Sequence, residues 1–262
     1  MCRWIAYKGS PIFMSRVVTE PCRSLIHQSI HANECKTVIN GDGFGIGWYA
    51  EHEEPGLYRD MGPAWGDENL MHLSRQIRSH MFFAHVRSAT GTATSRANCH
   101  PFQHGKYMFM HNGQIGGWHL VRRQIEALIP DAYYTRRTGT TDSEALFLAA
   151  LAFGLEEDPL AAFEAVLSKV QMIIQQHDIT EPIRFAAALA DGENLYAIRW
   201  ASDERPPSLY FRQISTGLLV ASEPLDEERA SWQPVPADHV LVANGASELI
   251  LRPFSSKERM AA

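Results

Sequence analysis

A cysteine directly follows the initiator methionine, and removal of Met1 is expected because the next side chain is small. Cys2 then carries a thiol and a free α-amine, whose ordinary pKa values are roughly 8.5 and 7.7–8.0. A base that titrates near the working pH is suited to take a proton in a transition state, so this one residue supplies nucleophile and base together. The plain alternative is a small residue at a chain start. Arg87 leaves an apolar run (81–86) and enters the polar, small-residue loop Ser88-Ala89-Thr90-Gly91-Thr92. Its guanidinium fork suits two-point capture of a carboxylate, with Thr90 as a further substrate contact; the alternative is a surface charge. His111-Asn112-Gly113 comes straight off a second apolar run (107–110). It reads either as an Asn-Gly turn or as two donors, the Asn112 amide and the Gly113 N–H, aimed at a developing oxyanion. Glycine there lets backbone approach a substrate closely. Asp142, in Thr141-Asp142-Ser143-Glu144, belongs to a helix start and is also placed to bind a substrate ammonium. Carboxylate partner, ammonium partner, oxyanion donors and thiol together describe an amino acid with a cleavable acyl group.

These residues must be positioned by strands and helices that alternate along the chain. Residues 2–7 read as a strand. Gly41-Asp42-Gly43-Phe44-Gly45-Ile46-Gly47 reads as a tight turn entering a strand whose glycines mark close backbone approach. Residues 67–77 have helical spacing at Leu70, Leu73 and Ile77, with acidic residues in the first turn. The runs 81–86 and 107–110 are near-continuously apolar, as strands covered on both faces are. A helix is expected from Gly117 to about Ile129, stopped by Pro130, another from Thr141 through the apolar run 145–155, and a third over 159–176 with proline in its first turn. From Ile183 onward strands are expected at 185–190, 195–200, 209–211, 218–220, 240–242 and 249–251, separated by turn residues such as Asn244-Gly245. Strands, then helices, then strands fit two sheets between helical layers in one domain, 1–262.

Composition removes several classes. With 262 residues and 45% apolar side chains the chain is long enough to bury a core without metals or disulfides. A net charge of −6 with no basic block lacks the footprint of a nucleic-acid binder. No apolar run approaches the ~18 residues of a membrane span, and no signal peptide is evident. Cys22, Cys35 and Cys99 read as small hydrophobes, and a reducing, cytoplasmic location is expected. His100 and His104 are four apart, but Pro101 disfavours a helix there, and no metal or cofactor is expected. Gly41 to Gly45 lacks the Lys-Ser/Thr ending and following helix of a phosphate loop.

The order Cys2, His85-Val86-Arg87-Ser88-Ala89-Thr90, Asn98-Cys99-His100-Pro101-Phe102, His111-Asn112-Gly113, Thr141-Asp142-Ser143-Glu144 resembles the class II glutamine amidotransferases, N-terminal-nucleophile hydrolases that release ammonia from glutamine. The resemblance covers at least residues 2–155. It implies an α+β fold, the four-layer α/β/β/α sandwich. It also implies attack by Cys2, an oxyanion held by Asn112 and Gly113, and substrate α-carboxylate and α-amino groups held by Arg87 and Asp142. Two departures stand out: Asn40 lies where many synthase-linked members have arginine, and Ser88 lies at a position often aromatic. The chain has no room for a second catalytic domain, and the stretches 220–225 and 232–234 look like the C-terminal completion of stand-alone relatives, which include γ-glutamyl hydrolases of ergothioneine synthesis and glutathione breakdown. The implied reaction is hydrolysis of the γ-amide of glutamine to glutamate and ammonia through a Cys2 thioester, with a separate synthase subunit as a possible partner. The alternatives are hydrolysis of a γ-glutamyl metabolite without ammonia transfer, and a catalytically silent regulatory or binding protein of the same fold.

Overall fold

Residues 2–34, 38–89, 91, 93–245 and 248–255 are described in a computed structural model; Met1, Cys35 and Thr90 lie outside the described residues. The chain begins with β1 (Arg3–Phe13), α1 (Ser15–Val18) and α2 (Leu25–Ile30), followed by β2 (Phe44–Trp48), β3 (Gly56–Asp60), α3 (Glu68–Gln76) and β4 (Arg78–Val86). Then come β5 (Phe102–His104), β6 (Tyr107–Gln114), α4 (Trp118–Glu126), α5 (Asp131–Tyr134), α6 (Asp142–Ala152) and α7 (Pro159–Gln176). The last part is β7 (Arg184–Ala190), β8 (Leu195–Ala201), β9 (Tyr210–Ile214), β10 (Gly217–Ala221), β11 (Gln233–Pro234), β12 (His239–Asn244) and β13 (Glu248–Pro253).

The strands form two antiparallel sheets, ordered β11-β9-β10-β1-β4-β2-β3 and β13-β12-β8-β7-β6-β5. Successive side chains of a strand point to opposite faces, and the apolar residues sort into three cores accordingly. Trp4 and Ala6 of β1, Met81 and Phe83 of β4, and Met108 and Met110 of β6 meet between the sheets. Ile5, Tyr7, Phe82 and Ala84 face the other way, against Val17, Val18, Leu25 and Leu70 on α1 to α3. Phe109 and Phe185 pack under α4, α6 and α7. The result is the expected α/β/β/α sandwich. Helix α6 is buried from Ser143 to Leu151, as its unbroken apolar sequence requires, because a helix apolar all round must be covered all round. Thr141, Asp67 and Asp158 cap α6, α3 and α7 through side-chain oxygens that accept backbone N–H groups, satisfying donors a helix start leaves free.

Several boundaries differ from the sequence expectation. Strand β1 continues to Phe13. Helices α1 and α2, with 4 and 6 residues, were not expected; they are shorter than the window over which helical periodicity shows. The helix after Gly117 ends at Glu126, and a separate turn, α5, follows Pro130. His111-Asn112-Gly113 does not follow its strand but lies within it: β6 runs to Gln114, and the three residues pair with Ala187, Ala186 and Phe185 of β7. The glycines of β2 do mark close approach. A Cβ on Gly45 would run into the His100 carbonyl oxygen, and one on Gly47 would meet Pro101 Cγ at 2.9 Å, so bare backbone there admits the segment that leads into β5.

Candidate active site

Antiparallel pairing of Arg3 with Val86 brings the start of β1 beside the end of β4. Cys2 therefore meets the loop that leaves β4. The Ser88 N–H points to Cys2 Sγ at 3.3 Å, and the thiol faces the Ser88 carbonyl at 3.6 Å. From the opposite sheet, Asn112 Nδ2 donates to the Cys2 carbonyl at 2.7 Å. Cys2, the Arg87 loop and the Asn112 strand thus converge at one edge of the sandwich. Burial pushes the Cys2 thiol up from its ordinary pKa, while the Ser88 N–H and the nearby Arg87 and Arg3 charges pull it down. Burial prevails, so the thiol needs a base to ionise it.

Arg87 is buried, and its backbone prolongs the β2–β4 ladder: Arg87 N–H donates to the Gly43 carbonyl, and Asp42 N–H to the Arg87 carbonyl. The guanidinium donates to the carbonyl oxygens of Asp42 (3.3 Å) and Ala93 (3.2 Å), which tie the head group to both flanking loops. The Asp42 carboxylate accepts from the Ala89 N–H at 2.8 Å and braces the turn that carries Ser88.

Asp142 is the first residue of α6. Its carboxylate accepts from the N–H groups of Ile115 and Ser143, both at 2.8 Å, and so joins this helix to the segment leaving β6, two residues past Gly113. His111 makes a second tie, from Nδ1 to Ser143 Oγ (2.8 Å) and from Nε2 to the Arg184 carbonyl oxygen (3.1 Å). Among the described residues, the Asp142 carboxylate makes its hydrogen bonds to Ile115 and Ser143 and none to Cys2. Thr90, the other expected substrate contact, falls outside the described residues. Gly113 has φ of 152°, and a Cβ there would collide with the Arg184 carbonyl oxygen. A Gly113→Ala substitution is therefore expected to lower stability by about 1–3 kcal/mol through overpacking alone and to depress activity with it. Parallel thermal melts and amide-hydrolysis assays check this; an alanine variant as stable and active as the parent contradicts it.

Sequence reasoning did not single out Ser88 as the thiol's partner, nor Asp42, nor Asn98. Asn98 donates to the Ala93 carbonyl (2.8 Å) and accepts from the Thr140 N–H (2.7 Å), joining the Arg87 loop to the turn before α6. Only its place in Asn98-Cys99-His100-Pro101 could have drawn notice. Among the described residues, no group of three His, Cys, Asp or Glu is arranged to hold a metal ion.

A second histidine feature lies in the wall of this region. His85 and His100 are buried with ring centroids 4.3 Å apart. Burial, with repulsion from Arg87, His111 and Arg3, pushes His85 down to about 3. Burial and the charges of His85, His111, Arg87 and Arg59 push His100 well down. Burial also lowers His111, against the opposing pull of Asp142. In the unfolded chain these histidines protonate near 6.5. The unfolded state therefore binds more protons below that pH, and stability present above pH 6.5 is lost as pH falls toward the folded values. Each such histidine contributes a slope of about 1.4 kcal/mol per pH unit in that window. Urea denaturation at pH 7.0 and 5.5 should show a marked fall, and His85→Gln should make the slope shallower by about one histidine's share. Equal stability at the two pH values would contradict the buried neutral state.

Comparisons with known proteins show the family and the fold. The family described as "Glutamine amidotransferases class-II" matches residues 12–205. The chain is 32% identical over 303 residues to the probable glutamine amidotransferase DUG3 of Saccharomyces cerevisiae, covering 97% of this chain and 84% of that protein. It is 27% identical over 254 residues to the gamma-glutamyl-hercynylcysteine sulfoxide hydrolase of Mycolicibacterium smegmatis, covering 95% and 99%. Among solved structures, a glutamine aminotransferase class-II domain protein from Silicibacter pomeroyi superposes with a TM-score of 0.78 at 38% identity, covering 97% of this chain and all of that one (100%). A glutamine phosphoribosylpyrophosphate amidotransferase from B. subtilis, 13% identical with a TM-score of 0.62, shares the fold. With the family matched over most of its length and two antiparallel sheets packed between helical layers, the chain belongs to the class II glutamine amidotransferases, as an amide-hydrolysing enzyme.

Proposed function

We propose that this protein, as one catalytic unit over 1–262, hydrolyses the γ-amide bond of glutamine or a γ-glutamyl compound through a thioester on Cys2. The observation that carries this reading is the Cys2 thiol seated on the Ser88 backbone beside Arg87, with the Asn112 amide on the Cys2 carbonyl. Once Met1 is removed, the α-amine of Cys2 accepts the thiol proton and the thiolate attacks the γ-carbonyl carbon. Asn112 Nδ2 has two hydrogens: one serves the Cys2 carbonyl, and the other, with the Gly113 N–H, serves the oxyanion. Collapse breaks the C–N bond, and the leaving amine takes the proton from the α-ammonium. Water, deprotonated by the same amine, then cleaves the thioester to give glutamate and restore the thiol. Arg87 holds the substrate α-carboxylate, with Thr90 beside it, and Asp142 holds the α-ammonium. Hydrolysis without ammonia transfer is the reading we favour, because two relatives of similar length are named as γ-glutamyl hydrolases; delivery of ammonia to a separate synthase subunit is the alternative. A cytoplasmic enzyme fits the free thiols Cys2, Cys22 and Cys99.

The mechanism requires a free α-amine. Protein that retains Met1 carries an amide nitrogen there, which is no base. Losing general-base assistance is worth about 10²–10⁴ in rate, so the Met1-retaining form should release glutamate at least a hundredfold more slowly than processed protein. The processed form should gain kcat/KM as pH rises through about 7.7–8.0, where an α-amine loses its proton. N-terminal mass analysis with glutamate release on both forms decides it: equal rates would overturn the proposed base.

A further inference from the structure

Resting on the reading above, we propose that the cleft beside Cys2 is a leaving-group subsite built for an amine with an apolar, ring-sized substituent and no negative charge, rather than for ammonia. The cleft has a volume of about 690 Å³ and is lined by Val38, Ile39, Asp42, Trp65 and Ser88, among others. It borders the residue that contacts the nucleophile: Ser88, whose N–H meets the thiol, forms part of its wall. A space of this size suits a small organic molecule, and ammonia makes no use of it. Three large apolar side chains stand on its rim. Val38, Ile39 and Trp65 are 52%, 59% and 39% exposed, and all three line the same cleft. The indole is held in place by the bare backbone of Gly41, where a Cβ would come within 2.8 Å of Trp65 Cη2. Among the described lining residues the one ionisable side chain is Asp42, an anion. Apolar walls with one carboxylate accept a neutral or cationic substituent and disfavour an anionic one.

The reaction at this subsite keeps the balance already given: the sulfur–carbon bond forms, the carbon–nitrogen bond breaks, and the departing amine leaves protonated with its substituent in the cleft. The test uses processed full-length protein and three substrates: glutamine, γ-glutamylbenzylamide, and the γ-glutamyl amide of 4-(aminomethyl)benzoate, which has the same ring with a carboxylate. The benzylamide should exceed glutamine in kcat/KM by about tenfold or more, the scale on which an apolar pocket discriminates, and should exceed its carboxylate analogue as well. Trp65→Ala should shrink the benzylamide-to-glutamine ratio severalfold. Asp42→Asn, which keeps an oxygen for the Ala89 N–H, should narrow the gap between the benzylamide and its carboxylate analogue. If glutamine or the anionic amide is cleaved best, or Trp65→Ala leaves the ratio unchanged, the subsite assignment is overturned while Cys2-dependent hydrolysis stands. If none of the three is cleaved, both readings fall.

Discussion

A Cys2→Ala variant is expected to lose γ-glutamyl amide hydrolysis by a factor on the order of 10⁴–10⁶, the scale on which removing an attacking side chain acts in other hydrolases. The fold should survive, because among the described residues the thiol's hydrogen bonds are two weak contacts to the Ser88 backbone, and the Asn112 bond is made to the Cys2 carbonyl, which alanine retains. The melting temperature should therefore stay close to the parent's while turnover disappears. Cys2→Ser is the more discriminating partner. It keeps a hydroxyl in nearly the same place but removes the more readily ionised sulfur, so a strong loss there identifies the thiolate as the attacking species. Glutamate release by the alanine variant at the parental rate would remove Cys2 from the mechanism and leave the convergence of Arg87 and Asn112 without a nucleophile.

A Glu223→Ala substitution is expected to produce the largest loss of stability, about 3–5 kcal/mol, as removal of one partner from a buried ion pair does. Glu223 is fully buried (0% exposed) and lies between two guanidinium groups, Arg23 at 2.7 Å and Arg3 at 3.5 Å. Its carboxylate also accepts the N–H groups of Asn33 and Glu34. Alanine removes the buried carboxylate shared by Arg3 and Arg23 and takes away the acceptor of the Asn33 and Glu34 N–H groups. Against a typical total of about 5–15 kcal/mol, that loss brings the protein near its unfolding threshold. Glu223→Gln should fall between parent and alanine, because the amide oxygen still accepts one backbone N–H. Urea titrations of all three give the ranking; a loss below about 1 kcal/mol for alanine would mean that the carboxylate does not hold the two arginines and the turn in place.

Much of this organisation is legible in the amino-acid order, for identifiable reasons. The runs at 81–86 and 107–110 mark strands because both faces of β4 and β6 are covered. Pro159 and Thr141 mark helix starts because caps act within one turn of the residues they serve. The glycines at 45 and 47 signal close approach because no other residue admits it. Elements with little periodicity escaped: α1 and α2 are too short, and the half-buried edge strand β3 lacks a clean alternation. Asn112-Gly113 was ambiguous locally, because an Asn-Gly pair forms a turn unless distant backbone claims it. Here β7, more than seventy residues downstream, does so through Ala186 and Phe185.

By itself, the order of residues determined which chemical groups this protein owns: a cysteine available at the chain start, an arginine at a strand end, an amide next to a glycine, an acid at a helix start, and two sheets' worth of apolar alternation. Those are properties of neighbouring residues, readable without knowing what lies across from them. Tertiary structure alone decided what meets what. The thiol's contact with a backbone 86 residues away, the amide's with a carbonyl 110 residues away, and the glutamate that gathers Arg3, Arg23 and the 33–34 turn from about 190 to 220 positions away all depend on strand register. Register follows from burying three separate cores at once, and a shift of one residue in β1 would turn Trp4 and Ala6 away from the inter-sheet core and carry Cys2 off the Ser88 backbone.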